Sequence, residues 1–148
     1  MSAVLSLGSN LGDRLAHLRE GLAVLEPTAV SAVYSSAPWG GVEQPDYLNV
    51  VALCPWDAAE AWRRAVLAET QAGRVRDVRW GPRTLDVDVV WATGSDEALE
   101  LPHPRAHERA FVVVPWLDVD PDAVLPGHGR VADLPVDWST VTRVGDGP

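Results

Sequence analysis

Apolar positions along the chain follow the two-residue period of strands in some segments and the three- and four-residue spacing of helices in others. Strands are predicted at residues 4–7, 30–35 and 47–54, and in the run after Gly81-Pro82 that ends at Trp91. A first helix is predicted from leucines recurring at 15, 18, 22 and 25, closed by Pro27. A second begins at Asp57, whose spacing from Glu60 resembles a capping box, and ends at Gly73. A third, near residues 112–117, is expected to break at Pro115.

The order strand, helix, strand, strand, helix, strand predicts an α+β fold, a ferredoxin-like β-α-β-β-α-β core with a mainly antiparallel sheet and helices packed on it. A chain of 148 residues fits one domain, residues 1–148, and contains no internal repeat or linker. Residues 135–148 form a poorly specified C-terminal tail, for which no element is predicted.

Composition narrows the class of protein. Apolar residues make up 47% of the chain, which argues against disorder, and no apolar run approaches the ~20 residues of a membrane span. The N-terminus lacks the basic region of a signal peptide and there is one cysteine, so a cytoplasmic protein is expected. A net charge of −9 argues against a nucleic-acid partner. All 12 basic residues are arginine, which excludes a P-loop lysine and Schiff-base chemistry.

The strand after Gly81-Pro82 carries the first candidate chemistry. Strand alternation places Asp86 and Asp88 on one face, about 7 Å apart, and leaves Leu85, Val87, Val89 and Trp91 on the other. Two carboxylates this close repel, and a divalent cation such as Mg²⁺ relieves the repulsion. The same pair is also compatible with an ordinary solvated strand face.

Arginines precede this acid pair in an otherwise acidic chain. Arg74, Arg76, Arg79 and Arg83 are suited to a triphosphate, although a charge run is also typical of a solvated surface. Farther along, His103, Arg105, His107 and Arg109 place four potential cations in seven residues. Carboxylates for metal beside cations for phosphate indicate phosphoryl transfer.

Tyr47 and Asn49 share one face of the third predicted strand. An aromatic ring beside an amide suits a planar heterocycle, although a tyrosine at a strand edge can simply be packed there.

Four segments, in order, resemble the 6-hydroxymethyl-7,8-dihydropterin pyrophosphokinase family across residues 4–134. They are Gly-Ser-Asn at 8–10, Gln-Pro-Asp-Tyr-Leu-Asn at 44–49, Arg-Trp-Gly-Pro-Arg-Thr-Leu-Asp-Val-Asp at 79–88, and the block from Pro-His-Pro-Arg to Glu-Arg-Ala-Phe at 102–111. The resemblance implies the ferredoxin-like architecture and transfer of pyrophosphate from ATP to 6-hydroxymethyl-7,8-dihydropterin, with release of AMP, in folate biosynthesis. It also implies two Mg²⁺ ions held by Asp86 and Asp88.

The resemblance assigns roles residue by residue. The catalytic set is Arg74, Arg76, Arg83, Asp86 and Asp88. The pterin set is Ser36, Ala37, Trp39, Tyr47, Asn49 and Phe111. The ATP set is Glu69, Arg76, Trp80, Arg83, Val89, His103 and Arg109.

Two other classes of function compete with this reading. A metal-dependent nuclease or nucleotidyl transferase could use the same aspartates, but the acidic charge and the aromatic slot argue against it. A non-catalytic binding module is also compatible with a ferredoxin-like fold, because fold alone does not give function. The expected partners are small molecules, ATP and the pterin alcohol, with no membrane and no nucleic acid.

Overall fold

A computed structural model describes residues 1–38, 44–73 and 84–148 of the chain. Their strands are β1 (Ala3–Ser9), β2 (Ala29–Val30), β3 (Val33–Ser36), β4 (Tyr47–Cys54), β5 (Asp86–Ala92), β6 (Val124–Leu125), β7 (Gly129–Arg130) and β8 (Val141–Gly145). Their helices are α1 (Arg14–Leu25), α2 (Ala58–Gln71) and α3 (Ala110–Val119), with short 3-10 helices at Ala106–Glu108, Val131–Asp133 and Trp138–Thr140. No helix in these three ranges is long and apolar enough to cross a membrane.

Within the described residues the main sheet has six strands, in the order β5-β1-β4-β3-β8 with β2 also pairing with β4, and these pairings are antiparallel. Helices α1 and α2 cover one face, where Leu5, Leu7 and Leu85 are fully buried. Helix α3 covers the other face through Val112 and Val113. The chain is therefore α+β with a mainly antiparallel sheet, as predicted.

The start of α2 follows the predicted cap. Asp57 lies at the N-cap and its side chain accepts a hydrogen bond from the Glu60 backbone N–H at 3.0 Å. Gly73 follows the helix with φ +68°, a left-handed conformation that glycine adopts at low cost. Residues local in the sequence thus mark both ends of this helix.

The second predicted strand is interrupted. Val30 pairs with Ala52 and Tyr34 pairs with Asn49, so this part of the chain gains one residue relative to β4. Ser31 fills the interruption, since its backbone N–H donates to Val51 O and its hydroxyl accepts from Val51 N–H, both at 2.9 Å. A hydrogen bond to the Ser31 hydroxyl there replaces one between backbone groups of neighbouring strands, and the single predicted strand is split into β2 and β3.

A bulge in β5 places Trp91 on the opposite face of the sheet from the predicted one. Val4 pairs with Trp91 but Leu5 pairs with Val89, so Val90 is the extra residue. Beyond the bulge the alternation is reversed, and Trp91 lies beside Val4 and Trp116 on the α3 face. The prediction that Trp91 shares the face of Leu85 is therefore wrong.

Two further expectations differ from the structure. Pro115 does not break α3, which runs through it. Burial of Val112, Val113 and Val114 opposes the break, since each buried aliphatic side chain contributes about 1.5–3 kcal/mol, against about 3 kcal/mol for an interior proline. The tail also contains an element, because β8 pairs with β3 through Val141 opposite Ser36.

Candidate active site

The candidate site is built around Gly8, which lies inside β1 and not in the turn after it. Gly8 pairs with Asn49 of β4 on one side and with Asp86 of β5 on the other. Directly opposed residues in antiparallel strands project to the same face, so the amide and the carboxylate flank Gly8 on the α3 side of the sheet. Asp88 follows on the same face, opposite Ser6.

Gly8 is a residue to which sequence reasoning gave no role of its own. A Cβ at this position would lie 3.3 Å from Asn49 Oδ1 and 3.3 Å from Tyr47 Cδ1. Cβ atoms in proteins are seldom this close to their neighbours. The lack of a side chain at Gly8 therefore lets the Tyr47 ring and the Asn49 amide approach β1. Glycine inside a strand is the available signal, because it often marks a close approach of other groups.

Asn49 is buried and hydrogen-bonded in the proposed pterin slot. It is 3% exposed, and its Nδ2 donates to Ser36 Oγ at 2.8 Å and to Tyr34 O at 3.4 Å. Tyr47 is half-buried and pairs with Ser36, while Ala37 directly follows β3. The described pterin candidates on β3 and β4 are therefore neighbours; Trp39 lies outside the described residues.

The segment leading into Tyr47 is anchored to the turn after β1, a contact that sequence reasoning missed. The fully buried Asn10 donates from Nδ2 to Gln44 Oε1 at 2.6 Å and to Pro45 O at 3.1 Å. Arg14 Nη1 donates to Asp46 O at 2.9 Å. The turn thereby fixes the entry to β4.

A cation from later in the sequence, Arg109, contacts Asp88 of the acid pair Asp86 and Asp88. Arg109, the N-cap residue of α3, places Nη1 3.4 Å from Asp88 Oδ2. Its guanidinium carbon lies 5.6 Å from the centre of the Phe111 ring. The predicted phosphate ligand, the predicted metal ligand and the predicted pterin-stacking residue therefore lie together.

His103 is oriented by backbone groups. The backbone N–H of His103 donates to Val90 O at 2.8 Å. The ring Nδ1 accepts from the Arg105 backbone N–H at 3.2 Å. Burial lowers the pKa of His103, the positive charges of Arg109 and Arg105 lower it further, and Asp86 partly opposes them. A neutral ring whose Nδ1 accepts must carry its proton on Nε2, which is then a hydrogen-bond donor.

Two predicted ATP residues do not share the face of the acid pair. Glu69 is buried on α2, and its Oε2 accepts from the Val87 backbone N–H at 2.9 Å, at the outer strand of the sheet. Val89 is 3% exposed and its side chain packs in the core under α1 and α2. Its backbone, and not its side chain, is the part that could meet a ligand.

The remaining predicted residues, Arg74, Arg76, Trp80 and Arg83, lie outside the described residues. In the part of the chain that the structure describes, no three His, Cys, Asp or Glu side chains are grouped to hold a metal ion. The carboxylates of Asp86 and Asp88 are compatible with Mg²⁺, which is commonly bound by one or two carboxylates together with waters and substrate phosphates.

Comparison with known proteins gives one family. The model of the family described as 7,8-dihydro-6-hydroxymethylpterin-pyrophosphokinase matches residues 4–121. Curated proteins named 2-amino-4-hydroxy-6-hydroxymethyldihydropteridine pyrophosphokinase are similar along most of the chain. The Mycobacterium leprae protein is 51% identical over 86% of this chain and 76% of the relative's length. The Methylorubrum extorquens protein is 40% identical over 96% of this chain and 98% of the relative's length. The Bacillus subtilis protein is 37% identical over 79% of this chain and 77% of the relative's length.

Proposed function

The chain belongs to the 7,8-dihydro-6-hydroxymethylpterin-pyrophosphokinase family, and we propose that it transfers pyrophosphate from ATP to 6-hydroxymethyl-7,8-dihydropterin in folate biosynthesis, releasing AMP. The observation that carries this proposal is the pairing of Gly8 with both Asn49 and Asp86. It brings a candidate heterocycle slot on β3 and β4 and a candidate metal site on β5 to the two sides of β1, on one face of the sheet. A pterin bound in the slot would present its hydroxymethyl group beside the acid pair.

The pterin ring is proposed to lie against Tyr47 and Phe111, with its polar edge on the Asn49 amide. The two hydrogen bonds that hold Asn49 support this assignment, because a preorganised amide loses little freedom when it binds. Ser36, Ala37 and Trp39 complete the proposed slot.

The triphosphate is proposed to bind on the other side of Gly8. Asp86 and Asp88 would hold Mg²⁺, two ions by family resemblance, which neutralise phosphate charge when bound. Arg109 and the Nε2–H of His103 would donate to phosphate oxygens. Arg74, Arg76 and Arg83 are proposed to add positive charge to the same triphosphate, and Trp80 to contact ATP.

In the proposed reaction the hydroxymethyl oxygen of the pterin attacks the β-phosphorus of ATP. The bond between that phosphorus and the α–β bridging oxygen breaks, AMP leaves, and the hydroxyl proton is released. The contribution of the chain is positioning and charge stabilisation, since Tyr47, Asn49 and Phe111 align the nucleophile while the cations stabilise the leaving group.

Two finer assignments belong to the same proposal. The sheet has the strand order β5-β1-β4-β3, α1 follows β1 in the sequence, and α2 follows β4. This arrangement supports a ferredoxin-like core extended by β8. The nucleotide base is proposed to lie near the outer edge of β5, beside Glu69 and the backbone of Val89. Reaction in the cytoplasm between two small molecules, without nucleic acid or membrane, is also proposed.

A product assay tests the function. Purified protein is incubated with ATP labelled at the β-phosphate, Mg²⁺ and the pterin alcohol, and the products are separated by chromatography. We expect AMP and labelled pterin diphosphate in equal amounts, and neither product without the alcohol or in EDTA. ADP as the main product, or release of inorganic pyrophosphate without pterin diphosphate, would contradict pyrophosphoryl transfer.

A further inference from the structure

Two histidines outside the proposed site stack on each other. The rings of His107 and His128 lie with centroids 3.9 Å apart and planes inclined by 15°. His107 belongs to the 3-10 helix Ala106–Glu108, and His128 to the turn between β6 and β7. The contact therefore joins the segment before α3 to the hairpin after it.

The short helix that carries His107 lies between the two proposed phosphate donors. Its first residue, Ala106, donates its N–H to His103 O and accepts at its O from the Arg109 N–H, both at 3.2 Å. A shift of this helix would therefore move His103 and Arg109 together. A three-residue 3-10 helix has few hydrogen bonds of its own, so contacts from outside decide its position.

The His107 ring stacks on His128 and has little support from hydrogen bonds among the described residues. Its Nδ1 is buried without a hydrogen-bond partner among the described residues, and its Nε2 lies 3.6 Å from Glu108 Oε1, too far for a strong bond. The backbone of His128 is anchored to the core, because its N–H donates to Leu125 O at 2.9 Å and Leu125 is 1% exposed under α3, while His128 itself is exposed.

We propose that His128 is a positioning residue for ATP: by stacking on His107 it fixes the 3-10 helix that sets His103 and Arg109 toward the phosphates. This inference rests on the proposed function for the identity of the ligand. His128 itself does not touch ATP; it acts through the ring of His107. Loss of the stack should therefore weaken the phosphate contacts and leave the pterin slot on β3 and β4 unchanged.

The test compares His128→Ala, which removes the stack, with His128→Phe, which keeps a flat ring and removes both nitrogens. Val124→Ala is the matched control, because Val124 lies in the same hairpin and is 58% exposed. For each variant, KM for ATP, KM for the pterin alcohol and kcat are measured. Calorimetry gives the Kd of α,β-methylene-ATP, and thermal melting gives Tm.

We expect His128→Ala to raise KM for ATP and Kd for the analogue about two- to tenfold, the scale of one aromatic stacking contact. KM for the pterin alcohol should stay constant, His128→Phe should restore ATP binding to within about twofold, and Val124→Ala should match the parent. Equal analogue affinity in His128→Ala and the parent, or failure of phenylalanine to rescue, would overturn the inference. A parent that binds the analogue but forms no AMP would contradict the proposed function alone; a parent that does not bind it would overturn both.

Discussion

Arg109 and Asp88 form an ion pair, with Nη1 3.4 Å from Oδ2, between the first residue preceding α3 and the outer strand of the sheet. The pair offsets part of the repulsion between Asp88 and Asp86 in the metal-free protein. Both side chains are partly exposed, so the attraction is worth at most about 1 kcal/mol. Removing the charge of Asp88 therefore has two small and opposite effects on folding.

The first prediction concerns Asp88→Asn. In EDTA its Tm should stay within a few degrees of the parent, because relief of repulsion and loss of the Arg109 pair nearly cancel. AMP formation should fall about 10²-fold or more, the scale of losing one strong electrostatic contact in a transition state. Mg²⁺ with an ATP analogue should raise the Tm of the parent more than that of the variant.

Asp122→Asn is the control for that variant, since Asp122 is exposed in the turn after α3 and carries the same charge. It should keep both the activity and the ligand-induced rise in Tm. An Asp88→Asn protein that melts well below the parent and turns over normally would show that Asp88 has a structural role instead.

The second prediction concerns Gly8→Ala. The added methyl group would meet Asn49 Oδ1 and the Tyr47 ring, each at 3.3 Å, and both must shift by a few tenths of an ångström. KM for the pterin alcohol should rise more than KM for ATP. Gly147→Ala, where an added Cβ meets nothing within 4 Å, should behave as the parent. An unchanged KM for the pterin would show that Tyr47 and Asn49 do not form the slot.

Local chemistry made much of the fold predictable. The Asp57 cap, the leucine stripe of α1 and the alternation around Asp86 each depend on residues close in sequence, and each is found as predicted. The break at Ser31 and the bulge at Val90 depend on hydrogen bonds to other strands, which periodicity cannot show. The strand β8 was missed for the same reason, because its partner β3 is about 100 residues earlier in the sequence.

The candidate site was predictable to a different extent. Motif resemblance named Tyr47, Asn49 and Asp86, and the pairing of strands explains why they converge. Periodicity gave no sign that a glycine inside β1 would be their common neighbour. The stack of His107 on His128 is equally invisible in the sequence, since no short-range pattern links the two residues.

The third prediction separates two roles of Glu69. Its carboxylate accepts from the buried Val87 N–H, so Glu69→Ala should lower the free energy of unfolding by about 1–3 kcal/mol, the cost of an unsatisfied buried donor. Glu69→Gln keeps an acceptor and should lose much less. Glu20→Ala, at an exposed position of α1, is the control in the same denaturant titration. If Glu69→Ala were as stable as the parent but bound ATP weakly, Glu69 would act on the nucleotide alone.

The last prediction concerns Tyr34, whose hydroxyl donates to Asp118 Oδ2 at 2.7 Å and so links β3 to α3. Burial, and then this hydrogen bond and the charge of Asp118, raise the pKa of Tyr34 to about 12. An unfolded tyrosine ionises near 10, so the unfolded chain releases this proton first as the pH rises. The stabilisation from Tyr34 is therefore complete below pH 10 and is lost between about 10 and 12.

Denaturant unfolding at pH 8, 10 and 11, with absorbance at 295 nm to follow ionisation, measures this loss. The parent should lose more stability between pH 10 and 11 than Tyr34→Phe, which has no phenol to ionise. Asp118→Asn is the informative control: burial is the largest cause of the raised pKa, so this variant should ionise below the parent but still above an unfolded tyrosine. Equal loss of stability in the parent and in Tyr34→Phe would show that the fold does not raise the pKa of the Tyr34 phenol.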